Sequence, residues 1–366
     1  MRKTIENIMY DSEDVPQPIM LSFILSLCSV LYGFVITVRN FLYDKNKLKS
    51  SIMPCRVICI GNVSVGGTGK TPVTVMTAKM LLKEGYSLAV VSRGYGGSSK
   101  EPLVASDGES ILADARLAGD EPIIIANALK GVPVVVGRDR VKAAELAVAR
   151  FKPQIILLDD GFQHRKLERN VNVITVDAKN PWGNEKLLPR GILREHPFAL
   201  KRAQAVMVTR FDDTVNKART ERMIRYYDRR IPIYYSAHVP RCLRMPGKDE
   251  TIGLEKLQKK PVAVLSNIAD PSSFHTMVTN LDAAIVQRFV MKDHHRYTPD
   301  EIETICQSSK DAGAEILVMT AKDERNLPDG FSVDTIECYV LDISAEMIAD
   351  QEKYLELIKP SGLNRS

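Results

Sequence analysis

Short runs of branched and aliphatic residues recur along this chain, separated by stretches in which apolar positions repeat with helical spacing. The runs Val57–Ile60, Leu88–Val91, Val132–Val136, Ile155–Leu158, Val171–Val176 and Ala205–Thr209 are continuous in their apolar character, which suits strands covered on both faces. Between them Val73–Glu84, closed by Gly85, and Val141–Arg150 read as helices. The pattern predicts an α/β core of P-loop NTPase type, a mostly parallel sheet with helices on both faces and ligands gathered at the strand C-terminal ends.

A basic, mixed segment follows at Lys217–Arg230, and Pro232–Val239 reads as an extended connection. Beyond it Val262–Leu265, Ser272–Leu281, Ala284–Val290, Pro299–Ala312, Ile316–Met319 and Tyr339–Ile343 predict a smaller C-terminal α/β lobe. The expected division is an N-terminal helical segment over 1–50, a core over 51–230 and the lobe over 231–366.

The N-terminal segment breaks the alternation. Val15 to Val38 carries no charge, and Ile19–Val38 is mostly bulky and apolar, about the ~20 residues that cross a bilayer core. The segment is expected to be retained as an anchor and not cleaved as a signal peptide, because Arg2 and Lys3 are opposed by Glu6, Asp11, Glu13 and Asp14 and no small-residue cleavage motif follows. Ser22, Ser26, Ser29, Gly33 and Thr37 fall on one narrow helical face, which suits close packing against the body or a second copy. Arg39, Lys45, Lys47 and Lys49, opposed by Asp44 alone, put the main body on the cytoplasmic side by the positive-inside rule. Both a spanning and an interfacial helix fit this stretch, as does a buried core helix.

Composition adds exclusions. A net charge of +5 over 366 residues is too modest to call for nucleic acid as a partner. The six cysteines have neither C-x-x-C nor zinc-type spacing and read as reduced core residues.

Chemistry enters where the first strand ends. Gly61 to Thr71 reads Gly-Asn-Val-Ser-Val-Gly-Gly-Thr-Gly-Lys-Thr, a phosphate-binding loop whose usual first glycine is Ser64. Gly66, Gly67 and Gly69 let the backbone N–H groups of Val65 and Thr68 turn towards an anion along with their own. Lys70 supplies a cation for the β- and γ-phosphates, Thr71 a hydroxyl for Mg²⁺, and Pro72 fits the first helical turn. Ile155–Leu158 runs into Asp159-Asp160-Gly161-Phe162-Gln163-His164, the arrangement that delivers a strand-end carboxylate to that metal, with Asp159 the expected ligand. Arg93, Asp120, Arg140 and Arg194 lie where the topology puts the mouth of the site. Asp120 fits a helix cap as well as a catalytic acid, and Arg140 and Arg194 fit solvated charges as well as phosphate clamps. Lys292-Asp293-His294-His295-Arg296-Tyr297 is a dense titratable loop ahead of a helix cap at Thr298.

Taken in order, Gly61–Pro72, Ser92-Arg93-Gly94-Tyr95-Gly96, Gly119-Asp120-Glu121-Pro122, Asp159–His164, Leu188–Gly191 through Leu193-Arg194-Glu195, Asp293-His294 and Thr320-Ala321-Lys322-Asp323 resemble the tetraacyldisaccharide 4'-kinase family over nearly the whole chain. Ser64 is usual in that family. Departures are Arg190, Ala321 and Ser266-Asn267-Ile268, which touch details and not the reaction class.

The resemblance implies ATP- and Mg²⁺-dependent phosphorylation of the 4'-hydroxyl of a lipid-linked disaccharide 1-phosphate at the cytoplasmic face of a bacterial inner membrane. It implies Lys70 on the β/γ-phosphates, Thr71 and Asp159 on Mg²⁺ with Asp160 beside them, and Asp120 as catalytic base partnered by His294. That pairing would require the two lobes to close during turnover. Arg93, Arg140, Gln163, Arg194 and Glu195 become candidate phosphate or substrate contacts. Two other classes fit the loop alone. A membrane-recruited ATPase switch would carry a lysine where Val65 stands, and a kinase of a soluble metabolite leaves the apolar N-terminus unexplained.

Overall fold

The computed structural model describes Ile8, Met9 and residues 18–360, apart from 213, 249, 269, 293, 294, 329 and 332–334. The N-terminal helix α1 runs Ile19–Asp44. The first unit then alternates β1 (Arg56–Gly61), α2 (Lys70–Lys83), β2 (Leu88–Ser92), β3 (Leu103–Ser106), the short α3 (Ala115–Ala118), α4 (Asp120–Ala128), β4 (Val134–Val136), α5 (Arg140–Phe151), β5 (Ile155–Asp159), β6 (Val171–Asp177), β7 (Ala205–Thr209) and α6 (Lys217–Arg225). With β8 (Ile233–Arg244) its strand order is β8-β7-β6-β1-β5-β2-β4-β3, and every pair is parallel except β3 with β4.

The continuous apolar runs follow from this layering. Ile58, Ile60, Val90 and Leu157 pack with Val73, Met80 and Leu81 of α2 on one face, and Val57, Cys59, Ile156 and Leu158 pack with Ala143, Ala144 and Ala147 of α5 on the other. Both faces being covered, alternation with polar residues is absent.

The second unit, His238–Ser344, is built from β9 (Thr251–Ile252), β10 (Pro261–Ser266), α7 (Pro271–Thr279), β11 (Ala284–Val290), α8 (Pro299–Asp311), β12 (Ile316–Thr320), α9 (Ala321–Arg325) and most of β13 (Glu337–Met347). Its strands β11-β10-β12-β13 are parallel.

The unit boundary differs from the expected one. From Ala345 the chain belongs again to the first unit, where α10 (Gln351–Ile358) buries Tyr354 and Ile358 in the core beside α2. The Tyr354 hydroxyl and Thr77 Oγ1 lie 2.8 Å apart, and the Arg56 Nε donates to the Ile358 carbonyl at 2.9 Å. The expected connection Pro232–Val239 is the first part of β8, and the helix expected from Val73 starts at Lys70.

Candidate nucleotide and phosphate site

The site grows from two adjacent strand ends. Strand β5 lies beside β1 with Asp159 in register with Ile60, so the loop after β1 and the carboxylates after β5 emerge together. Residue 69 must be glycine: its φ is +73°, and a Cβ there would lie 3.2–3.3 Å from the Thr209 side chain. Gly69 is the N-cap of α2 and offers no side chain to the first-turn N–H groups, leaving them for an anion.

The loop is braced by its own polar residues. Asn62 Nδ2 donates to Thr68 Oγ1 at 2.9 Å, that oxygen lies 2.8 Å from Thr175 Oγ1, and Thr209 Oγ1 donates to the Thr68 carbonyl at 2.9 Å. Ser64 stands where glycine is usual because this part of the loop is extended. It bridges Leu193 in antiparallel fashion, flanked by Val65 N–H to Ile192 O and Arg194 N–H to Val63 O, both at 2.7 Å.

Lys70 is only 8% exposed, and its Nζ lies 3.8 Å from Asp160 Oδ1. Arg194 Nη1 donates to both oxygens of Asp160 at 2.9 and 3.1 Å. Arg140 Nη2 donates to the Asp160 backbone carbonyl at 3.2 Å and Nη1 to the Arg138 carbonyl at 3.0 Å. Arg140 is therefore buried beside the site and is no solvated charge.

The adjacent acids diverge in character. Burial, then the carboxylates of Glu121 and Asp160, push Asp159 up to about 7. For Asp160 burial also acts upward, but Lys70, Arg194 and Arg140 outweigh it and hold the carboxyl below its usual range. Asp159 is fully buried and accepts from Thr74 Oγ1 at 2.9 Å and Ser92 Oγ at 3.5 Å. Among the described residues no three His, Cys, Asp or Glu side chains stand at metal-binding spacing. The donor set of Thr71, Asp159 and Asp160 fits an ion that keeps phosphate and water oxygens, as Mg²⁺ does.

Asp120 is the first residue of α4, following Gly119 with φ +90°, and is not its N-cap. Arg93 is exposed and near enough to Arg140 to depress its pKa, after the larger effect of burial. Gln163 Nε2 donates to the Asn62 carbonyl at 2.8 Å, which ties it to the base of the loop.

Glu195 departs from expectation as a substrate contact. It is 1% exposed, and its Oε2 takes the Asn40 amide at 2.7 Å and the Arg202 guanidinium. Asp293 and His294 lie outside the described residues. Around them, in the second unit, Asn267 Nδ2 donates to the His295 carbonyl at 3.2 Å and Tyr297 OH to Asp323 Oδ1 at 2.6 Å.

Sequence reasoning gave no role to Glu121, Thr74 or Asn62. Glu121 carried a signal, an acid next to Asp120 at a helix start; Thr74 carried none, since its partner Asp159 is 85 residues away, and Asn62 bonds Thr68 inside the loop motif itself.

A glycine loop between strand and helix, a buried lysine and a carboxylate pair on the neighbouring strand define a P-loop nucleotide-binding protein. Known proteins narrow the class. A sequence model of the family described as Tetraacyldisaccharide-1-P 4'-kinase matches residues 21–361. The tetraacyldisaccharide 4'-kinase of Syntrophus aciditrophicus is 37% identical over 342 residues, 91% of either chain, and that of Desulfatibacillum aliphaticivorans is 35% identical over 368 residues, 98% of this chain and 97% of the relative. The crystal structure of LpxK from Aquifex aeolicus in complex with ATP superposes with a TM-score of 0.73 at 30% identity, covering 92% of this chain and 98% of that one. The chain belongs to the tetraacyldisaccharide 4'-kinase family.

Proposed function

We propose that this protein transfers the γ-phosphoryl group of ATP to the 4'-hydroxyl of a tetraacyl disaccharide 1-phosphate, a step of lipid A synthesis. The observation that carries the reading is Lys70, buried and aimed at Asp160 behind an uncapped helix N-terminus, in a chain that matches the family over residues 21–361. When bound, ATP with Mg²⁺ supplies the phosphoryl group and offsets its charge.

The chain's residues then have separate tasks. The N–H groups of Gly66, Gly67 and Gly69 to Thr71 and the Lys70 ammonium hold phosphate oxygens, whereas the N–H groups of Val65 and Thr68, expected to join them, donate to the Ile192 and Gly66 carbonyls. Thr71, Asp159 and Asp160 carry the metal's protein oxygens. Arg194 keeps Asp160 ionised and in place, and Arg140 and Arg93 add positive charge beside it. Asp120 accepts the proton of the attacking hydroxyl, with the family resemblance supporting His294 as its partner.

The helix α1 supports a membrane location. Ile19, Met20, Phe23, Leu27, Val30, Leu31, Phe34 and Val35 are exposed on it. Its opposite side lies against the body: Ser29 Oγ donates to the Leu187 carbonyl at 2.8 Å, and Arg165 holds Asp44 at 2.7 Å. Ser29 to Asp44 spans about 22 Å of helix at 1.5 Å per residue. A helix occupied along that length by the soluble body lies on the bilayer with its apolar side down and does not cross it. The body then sits at the cytoplasmic face of the inner membrane, where the acylated substrate is held in the lipid.

The test is incubation of purified protein with ATP, Mg²⁺ and the lipid disaccharide 1-phosphate in detergent, followed by phosphorus NMR. A new 4'-phosphomonoester is expected with wild type and not with Lys70→Ala; its absence with wild type refutes the proposal.

A further inference from the structure

The apolar helix touches the phosphate site through two polar residues on its buried side. Tyr32 OH donates to the Arg194 carbonyl at 2.9 Å, and Asn40 Nδ2 donates to Glu195 Oε2 at 2.7 Å. Arg194 and Glu195 are the same residues that brace the loop. Their N–H groups both point at the Val63 carbonyl, at 2.7 and 3.3 Å, and the Arg194 guanidinium holds the carboxylate that faces Lys70. From Asn40 to Lys70 there are thus only three intervening groups: the Glu195 carboxylate, the Arg194 side chain next to it in the chain, and Asp160.

The geometry points to α1 as a positioning element of the phosphate site, in which Tyr32 and Asn40 hold the Arg194-Glu195 segment and through it Asp160 and the loop. A helix serving only as a lipid anchor has no use for these bonds. Two hydroxyls on its small-residue face, by contrast, turn back on the helix itself: Ser26 Oγ donates to the Ser22 carbonyl and Thr37 Oγ1 to the Gly33 carbonyl, both at 2.8 Å. Close approach is also built in where the contact is needed, since a Cβ on Gly33 would lie 2.7 Å from Leu187 Cδ1.

Glu195 makes the arrangement sensitive. It is a buried carboxylate whose Oε1 has no hydrogen-bond partner among the described residues and lies 3.8 Å from Arg39. Removing the Asn40 amide leaves Arg202 as its sole direct donor among the described residues, and a buried charge short of donors moves or draws in water. Either response shifts Arg194.

The inference rests on the nucleotide reading proposed above, and its test separates the two. The full chain, dispersed in detergent without lipid substrate, is assayed for ATP affinity in the presence of Mg²⁺ by equilibrium dialysis, and in parallel for partition onto phosphatidylcholine vesicles and for its melting temperature. Asn40→Ala is expected to weaken ATP binding about five- to thirtyfold and Tyr32→Phe about two- to fivefold, while vesicle partition stays within twofold of wild type. Thr37→Ala, on the same helix but bonded only to it, is expected to change neither. Asn40→Gln keeps an amide donor for Glu195 Oε2 and is expected to recover most of the affinity lost in Asn40→Ala, which a general loss of stability would not allow. Unchanged ATP affinity in folded Asn40→Ala and Tyr32→Phe overturns the inference, as does an affinity loss that tracks vesicle partition. Should Asn40→Ala fail to fold, Tyr32→Phe decides alone. A wild-type protein that binds no ATP refutes the nucleotide reading itself.

Discussion

Asp160 is the residue on which the charges of the site converge, and its backbone is as unusual as its surroundings. Its φ of +52° lies in the left-handed region, which aspartate and asparagine tolerate better than most side chains. Asp160→Asn therefore keeps the turn and removes the charge opposing Lys70, Arg194 and Arg140; kcat is expected to fall about a hundredfold or more with the protein still folded, read by steady-state kinetics and circular dichroism. Nearby His164 allows a prediction about stability. Burial, followed by Arg140, drives its imidazole down to about 4, so the folded protein resists a proton that the unfolded chain accepts near 6.5. This group costs no stability above pH 6.5. Between pH 6.5 and 4 stability is lost progressively, by about 3 kcal/mol at most, and His164→Gln is expected to flatten that slope in denaturant titrations at stepped pH. At this scale the sequence exposed what a motif carries, Lys70, Thr71 and the two aspartates. It could not expose that Asp160 and not Asp159 faces Lys70, because which of two neighbouring acids turns outward depends on a single backbone angle. Nor could it expose that Glu195 is spent on Asn40 as well as the nearby Arg202, since the first contact comes from a helix more than 150 residues away.

Among the elements, strands were the most legible and the chain's return was the least. Apolar runs such as Ile155–Leu158 have no alternative use in a doubly covered sheet, so each became a strand close to its expected limits. Helix α10 has an ordinary amphipathic pattern that says nothing about which unit it covers, and it joins the first unit because β13 carries the chain back there. Tyr354 and Ile358 give the return an energetic meaning, as both are wholly buried against residues of the first core. Ile358→Ala is expected to cost about 2–4 kcal/mol, and Tyr354→Phe about 1 kcal/mol through loss of the bond with Thr77. Urea denaturation measures both. A cost near zero for Ile358→Ala would mean that α10 is not part of the first unit's core.

For the molecule as a whole, α1 exposes an apolar side and packs its other side on the first unit, and its sequence announced a packing face but not the residues it meets. Hydropathy gave its length, and the basic flank gave its polarity. The spacing of Ser29 and Gly33 gave the face that packs, and Leu187 is what it packs on. What hydropathy cannot tell is whether an apolar helix crosses the bilayer or lies along it. The interfacial placement proposed above rests on the contacts at Ser29, Tyr32, Asn40 and Asp44, which use the length a spanning helix would need for lipid. Val30 and Phe34 are exposed four residues apart on the free side, within the stretch that lies against the body. For a helix lying in the interface, each contributes about 1.5–3 kcal/mol of apolar contact with lipid, so Val30→Glu with Phe34→Glu is expected to lower vesicle partition a hundredfold or more. ATP affinity in detergent should remain at the wild-type value, because neither side chain reaches Arg194 or Glu195. Flotation of the purified variant with phosphatidylcholine vesicles reads the first quantity and equilibrium dialysis the second. Partition unaffected by the two glutamates would move the lipid contact to another surface, and a fall in ATP affinity of the same size would show that the free side of α1 also bears on the phosphate loop.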